Sequence, residues 1–526
     1  MDIPHVFVTL GDITHVECDA WMLPSDIRYS VTGGWLAAVP TLRDHITESR
    51  ADEFARGETL ATPILRWDES LPLPILTAVP LNGLRTSDDL KELGDAVRDF
   101  VRVGAEQARK RKPQPRRTKH LLAMPSFGTA GGGGQLKRGE VLQVLLDNAQ
   151  SASVEYDVDV VIVLREERMF ALAQQLRKRM PTWEALDDAL LNTAKELAVK
   201  ARDGKLVPFM GAGVSVSAGG PTWGELIRAL AVGIGLVQSD VDSLVNSKHG
   251  ALDQAAYLRE RYRQERPQLV DGGFGEAVAK AVQLDRYGLA PALLASLRTE
   301  QAITLNYDIL FELAARDAGD ERTVIPSDGA ASASDKWLLK LHGSVSRPDS
   351  IVLTRDDYLG YSANREALSA IVKANLITHH LLFVGFGLAD DHFHQIIHDV
   401  RRALPEYGRN EFATALTMRH DPLEKMLWNG QLKLVPMGPA DGEVPTAGRL
   451  LEIFLDALLA YATDSHSYLL HKDFDSSLEK DERELRRKVL AFTSTIEAQE
   501  RAVPAWGVIE RMLEALGGDQ VEAVRG

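Results

Sequence analysis

The sequence is poor in cysteine: Cys18 is the only one in 526 residues. A single thiol excludes an internal disulfide and a four-cysteine zinc site, and such sparse use fits a reducing compartment. Long apolar runs are missing too. No stretch of about 20 apolar residues occurs, so no membrane-spanning helix is expected. The run around 376–388 is broken by His379 and His380 and reads as a buried strand with its flanks. No basic region followed by an apolar one opens the chain, so the expectation is a cytoplasmic protein without a signal peptide. Positive charge is in deficit. Sixty Lys and Arg against 75 Asp and Glu leave a net charge of −15, which argues against a dominant nucleic-acid surface built from clustered cations. No internal repeat and no long low-complexity segment appears.

Hydrophobic residues make up 45% and charged residues 26%, values of an ordinary globular protein. Short apolar runs alternate with longer amphipathic stretches, the pattern of an α/β protein. Strand candidates in the N-terminal part are Val6–Leu10, Ala20–Leu23, Ile75–Val79, His120–Met124 and Val158–Leu164. Farther on they are Leu206–Met210, Ala302–Asn306, Trp337–Leu341, Leu381–Gly385, Thr414–Met418 and Leu432–Val435. A proline at Pro181 and the polar stretch after the apolar helix Leu450–Tyr461 divide the chain into about 1–180, 181–465 and a helical tail, 466–526. The stretch Arg109–Lys119 is rich in Arg, Lys and Pro. It reads as a solvated loop between a helix and a strand rather than a nucleic-acid contact, because it is short and has no interleaved aromatics.

The sharpest motif is Pro208-Phe209-Met210-Gly211-Ala212-Gly213-Val214-Ser215, followed by Ala218-Gly219-Gly220-Pro221-Thr222-Trp223. An apolar strand running into Gly-Ala-Gly allows close backbone approach to a phosphate, whose charge free N–H groups and a helix dipole favour. Three further strand ends carry polar groups. Thr304-Leu305-Asn306-Tyr307-Asp308 sets an amide and a carboxylate two residues apart, which on an extended strand end point the same way. Lys340-Leu341-His342-Gly343-Ser344 and Phe383-Val384-Gly385-Phe386-Gly387-Leu388-Ala389-Asp390-Asp391 end two more. Parallel sheets place ligand sites at such carboxyl ends.

Together these segments resemble the sirtuin fold, a Rossmann-like doubly wound parallel sheet. Within it they resemble the Sir2-type NADases of bacterial anti-phage defence, Thoeris effectors among them. The sirtuin pattern Gly-Ala-Gly-Ile-Ser-x-x-Ser-Gly-Ile-Pro-Asp-Phe-Arg lies over Gly211–Gly224 without a gap, and Thr-Gln-Asn-Ile-Asp lies over Thr304–Asp308. Asp349–Tyr358 also looks like the bacterial group. The resemblance implies that NAD+ is the substrate and that no metal takes part. It assigns Gly211, Ala212, Gly213 and Ser215 to the phosphates, and Asn306 to the ribose or a water. Asp308 would accept from the nicotinamide carboxamide, and His342 would be the general base. Pro221, Trp223, Thr304, Gly385, Gly387 and Asp390 would complete the dinucleotide site, with Trp223 the aromatic over the nicotinamide. The four zinc cysteines of protein-deacylating sirtuins are absent, which speaks for NAD+ cleavage over deacylation.

A second resemblance covers about 1–180. Gly11-Asp12-Ile13-Thr14, Cys18–Asp26 and Met124-Pro125-Ser126-Phe127-Gly128-Thr129-Ala130-Gly131-Gly132-Gly133-Gly134 resemble the opening and the phosphate loop of a macro domain, a three-layer α/β/α fold that binds ADP-ribose. It implies ligand contacts from Asp12, Ile13, Gly128, Thr129, Gly131, Gly132 and Gly133, with Asp12 on the adenine. Leu23 and Asp26 stand where the family has asparagines, which favours sensing over removal of ADP-ribose. The expectation is a homo-oligomeric NADase effector released by an ADP-ribose-derived signal or a phage protein. Two alternatives stay open: a deacylase or ADP-ribosyltransferase, and a non-catalytic binding module.

Overall fold

The computed structural model describes residues 3–80, 83–84, 86–111, 116–128, 137–327, 335–388, 390–403 and 411–518. By contacts the chain divides into two units. One takes 1–114, 119–195 and 456–526; the other takes 115–118 and 196–455. Residues 181–195 and the tail, which the sequence reading sets apart from the N-terminal segment, thus group with it.

The first unit holds a six-stranded sheet of β1 (Val6–Leu10), β2 (Ala20–Ser25), β3 (Ala61–Pro63), β4 (Leu73–Ala78), β5 (Leu121–Pro125) and β6 (Asp159–Leu164). Its order is β1-β6-β5-β2-β4-β3. Every pairing is parallel except the edge strand β3 against β4. The strands β4, β5 and β6 are buried along their whole length, so they read as continuous apolar runs. The helix Ser87–Ala108 starts at a capping box in which Thr86 and Asp89 satisfy each other's backbone N–H groups. Fully buried Asp456 is a polar hub of this unit. Its carboxylate accepts from Arg177 Nη1 at 3.0 Å and Trp183 Nε1 at 2.9 Å, and lies 2.9 Å from His5 Nε2. Burial alone would raise its pKa, but Arg177 and His5 outweigh that and hold the carboxyl below the usual range.

The second unit holds a seven-stranded, wholly parallel sheet. Its strands are β7 (Leu206–Met210), β8 (Gln301–Thr304), β9 (Thr323–Ile325), β10 (Trp337–Lys340), β11 (His380–Val384), β12 (Ala413–Thr417) and β13 (Leu432–Pro436). The order β13-β12-β11-β7-β8-β10-β9 reverses direction at β7. This is the Rossmann-like arrangement expected of the second segment, and its crevice opens at the carboxyl ends beside that reversal. One face packs Phe209, Phe383 and Phe393 with Trp428, all buried, into the core. A separate helical cluster gathers Leu226, Leu258, Tyr262, Phe274 and Val278. The short edge strands β3 and β9 are absent from the sequence reading, since three residues carry too little pattern to show a period. Among the described residues, no helix is long and apolar enough to cross a membrane.

Candidate functional site

The Gly-Ala-Gly motif is built as a crossing of two backbones. Gly211 N–H donates to Val384 O at 3.0 Å and Gly213 N–H to Gly385 O at 2.8 Å. A Cβ on Gly211 would sit 2.5 Å from Gly385 O, and one on Gly213 2.7 Å from Gly385 Cα. Gly385, at φ +61°, would push a Cβ to 2.4 Å from Val214 N. Glycine is therefore required on both sides of the crossing, quite apart from any ligand.

The strand β8 stops at Thr304, sooner than the sequence suggests. Thr304 Oγ1 donates to Met210 O at 3.2 Å and accepts from Asn306 N–H at 3.0 Å, which turns the chain across the end of β7. Asn306 and Asp308 leave the strand yet still converge. Ser215 Oγ accepts from Asn306 Nδ2 at 3.0 Å and donates to Asp308 Oδ2 at 2.7 Å. Leu310 N–H donates to Asp308 Oδ1 at 3.0 Å. The Asn306 carbonyl oxygen is buried without a hydrogen-bond partner among the described residues. Fully buried Lys340 ties this turn to β10 by donating to Asp308 O and, at 2.6 Å, to Glu312 Oε1.

His342 follows β10, buried, with its ring edge-on to Tyr358 at 5.3 Å between centroids. Tyr358 donates its hydroxyl to Asp390 Oδ2 at 2.9 Å and lies 3.5 Å from His342 Nδ1. Tyr307 donates to Val352 O at 2.8 Å, and burial raises its pKa. Tyr358 and Tyr307 are the site residues that sequence reasoning left without a role. The signal for Tyr358 was its place in the Asp349–Tyr358 stretch. The helix that carries it, Arg355–Thr378, is fixed at its start by Asp357. That carboxylate accepts from Thr354 N–H at 2.9 Å and from Arg259 Nη1 at 2.8 Å.

A cavity of about 300 Å³ gathers the carboxyl ends of β7, β8, β10 and β11. Gly211, Ala212, Ser215, Pro221, Trp223, Asn306, Asp308, His342, Gly385, Gly387 and Asp390 all line it. Thr304 does not line it and contributes through the turn that carries Asn306. A larger cavity, about 710 Å³, shares the ledge Gly385-Phe386-Gly387 and also touches Gly213.

Residues 300–433 match the family model described as a SIR2-like domain. Within that span lie Asn306, Asp308, His342, Gly385 and Asp390, while the glycine motif at Gly211–Gly213 precedes it. Defense-associated sirtuin 2 of Bacillus subtilis is 28% identical over 248 residues, 45% of this chain and 23% of that protein. The NAD(+) hydrolase ThsA of Enterococcus faecium is 29% identical over 229 residues, 41% of this chain and 44% of that protein. The ThsA of Bacillus cereus is 28% identical over 208 residues, 39% of this chain and 41% of that protein. The chain thus spans less than half the length of these curated relatives.

In the first unit the residues expected to bind ADP-ribose are spread over two loops. Asp12 follows β1. Its Oδ1 accepts from Thr14 N–H at 3.0 Å, and its Oδ2 pairs with Arg165 at 2.5 Å. Ile13 is buried. Gly128, at φ +80°, follows β5 with Leu84 Cδ1 2.8 Å from where a Cβ would stand. Thr129, Gly131, Gly132 and Gly133 lie outside the described residues.

Proposed function

We propose that the chain is an NAD+ glycohydrolase that releases nicotinamide and ADP-ribose, and that it works as a NAD+-depleting effector of anti-phage defence. The observation that carries this reading is the joining of His342, Asn306 and Asp308 in one cavity beside two glycine loops. NAD+ brings its own leaving group, so the protein must orient the ribose and favour an oxocarbenium-like transition state. Asp308 and Asp390 put two carboxylates around the same cavity, where they favour the positive charge that develops on the ribose as nicotinamide leaves neutral. The spare carbonyl oxygen of Asn306 is an acceptor for a ribose hydroxyl or the attacking water. His342, beside the Tyr358–Asp390 pair, is the general base. The adjoining larger cavity takes the adenosine half, with the diphosphate over the Gly211–Gly213 and Gly385–Gly387 loops. The names of the matched relatives, a defence sirtuin and NAD(+) hydrolases, support the same reading.

The first unit, on this reading, is a macro-like sensor. Asp12 and Gly128 follow parallel strands at their carboxyl ends, where a diphosphate ligand suits the fold. An ADP-ribose-derived signal or a phage protein would release the hydrolase, with self-assembly of the chain part of the switch. The test is incubation of the purified chain with NAD+, with and without ADP-ribose, followed by chromatography of the products. Equal amounts of nicotinamide and ADP-ribose support the hydrolase. Nicotinamide that appears only with a protein or small-molecule acceptor would replace it with a transferase.

A further inference from the structure

The basic loop Arg109–Lys119 does not behave as a solvated connection throughout. Residues 116–118 group with the second unit, although 86–111 and 119–195 belong to the first. Arg117 Nη1 donates to Glu452 Oε2 at 2.7 Å, and both side chains are only 6% exposed. That pair anchors the segment. Arg116 has φ +69°, in the left-handed region that a residue with a Cβ rarely adopts. Strain of this kind persists where the surroundings hold a side chain to a task.

The task is visible in its contacts. Arg116 Nη1 donates to Gly220 O at 3.1 Å, and Nη2 donates to Glu225 Oε2. The same Glu225 oxygen accepts from Thr222 N–H at 2.7 Å and Thr222 Oγ1 at 2.8 Å, closing the capping box of the helix Trp223–Gly233. One guanidinium thus grips both ends of the turn Gly220–Glu225. That turn presents Pro221 and Trp223 to the smaller cavity, while Arg116 itself lines the larger one. The hydrogen bond from Arg116, followed by those from Thr222, pulls the Glu225 carboxyl down to about 2. The Glu225 side chain is 54% exposed, so the pair adds little to stability and its consequence is positional.

We infer that Arg116 is a positioning residue for NAD+ cleavage, holding the Gly220–Glu225 turn so that Pro221 and Trp223 keep their place against the nicotinamide ribose. This rests on the NAD+-cleaving reading above. A displacement of about 1 Å in such an element is enough for a loss of order 100-fold in rate.

The test uses the full chain in six forms: wild type, Arg116→Ala, Arg116→Glu, Glu225→Arg, the double Arg116→Glu/Glu225→Arg, and His342→Ala as the inactive reference. Nicotinamide release gives kcat and KM, and hydrogen exchange reads the peptides covering 219–226. Expected are a roughly 10- to 100-fold fall in kcat for each single variant, larger than the accompanying rise in KM, and faster exchange in those peptides. The double variant regains the ion pair but neither the donation to Gly220 O nor the carboxylate that closes the capping box, so its kcat should stay roughly 10-fold or more below wild type. Single variants that turn over like wild type, or a double variant that returns to the wild-type rate without a donor to Gly220 O, would overturn the inference. Exchange that does not change in Arg116→Ala would overturn it regardless of turnover. A wild type that releases no more nicotinamide than His342→Ala, with exchange still raised by Arg116→Ala, would instead count against NAD+ cleavage and leave the grip standing.

Discussion

Replacing Gly385 with alanine should cost both the fold and the proposed NAD+ cleavage, by comparable free energies. Gly385 lies at φ +61°, and the new Cβ would fall 2.4 Å from Val214 N and 2.6 Å from Gly213 C. Both neighbours are backbone atoms, so no rotamer change relieves the clash. Ordinary contact begins near 3.4 Å, so the two crossing loops must part by about 1 Å (3.4 − 2.4). The left-handed conformation costs about 1–2 kcal/mol, and overpacking adds about 1–3 kcal/mol, giving roughly 2–5 kcal/mol of destabilisation. A shift of about 1 Å in the loops that hold a reacting dinucleotide corresponds to a loss of order 100-fold in kcat/KM. Gly224→Ala is the control, since its Cβ meets nothing within 4 Å and alanine favours the helix it enters. Steady-state nicotinamide release and urea unfolding, measured on all three proteins, read both effects. Gly385→Ala activity within threefold of wild type would refute the reasoning, because the crossing would then tolerate a side chain the geometry forbids.

His380 gives a pH prediction. Burial pushes its imidazole down to about 4, with repulsion from Lys200 and Lys433 adding to it, while the ring keeps a 2.9 Å hydrogen bond to Thr414 Oγ1. A depressed folded pKa means stability that is whole above the unfolded value of 6.5 and is lost as pH falls toward about 4. Urea midpoints of wild type should therefore fall across that window more steeply than those of His380→Gln; parallel curves would count against it. In the first unit, Asp456→Ala strips the buried Arg177 of its counter-charge and should cost about 3–5 kcal/mol in urea unfolding. A change under about 1 kcal/mol would show that the hub is not holding the unit.

Most of the second unit was legible because parallel, doubly covered strands write themselves as apolar runs ending in glycine or polar residues. Thus β7, β10 and β11 were found within a residue or so at each end, and the residues after β7, β8, β10 and β11 pointed to one crevice. Other features lay beyond local pattern. The convergence of Asn306 and Asp308 on Ser215 depends on a turn just past β8, not on the extended geometry that alternation suggests. The glycines owe part of their identity to a backbone crossing between segments about 170 residues apart in sequence (211 against 385), which no window along the chain can show. Arg116 was read with its charged neighbours as solvated, because composition carries no information on the tertiary partner Glu225. Tyr358 sat in a noted stretch, yet only the fold brings its hydroxyl to His342 and Asp390.

The most direct measurement is NAD+ turnover by the purified chain beside His342→Ala, with NAD+ affinity measured on both by calorimetry. A positioned base contributes about 100- to 10,000-fold. The variant should therefore lose nicotinamide release by that factor while binding NAD+ within about threefold of wild type. Release by His342→Ala at the wild-type rate would contradict the account at its centre, since another group would then have to perform the chemistry assigned to this cavity.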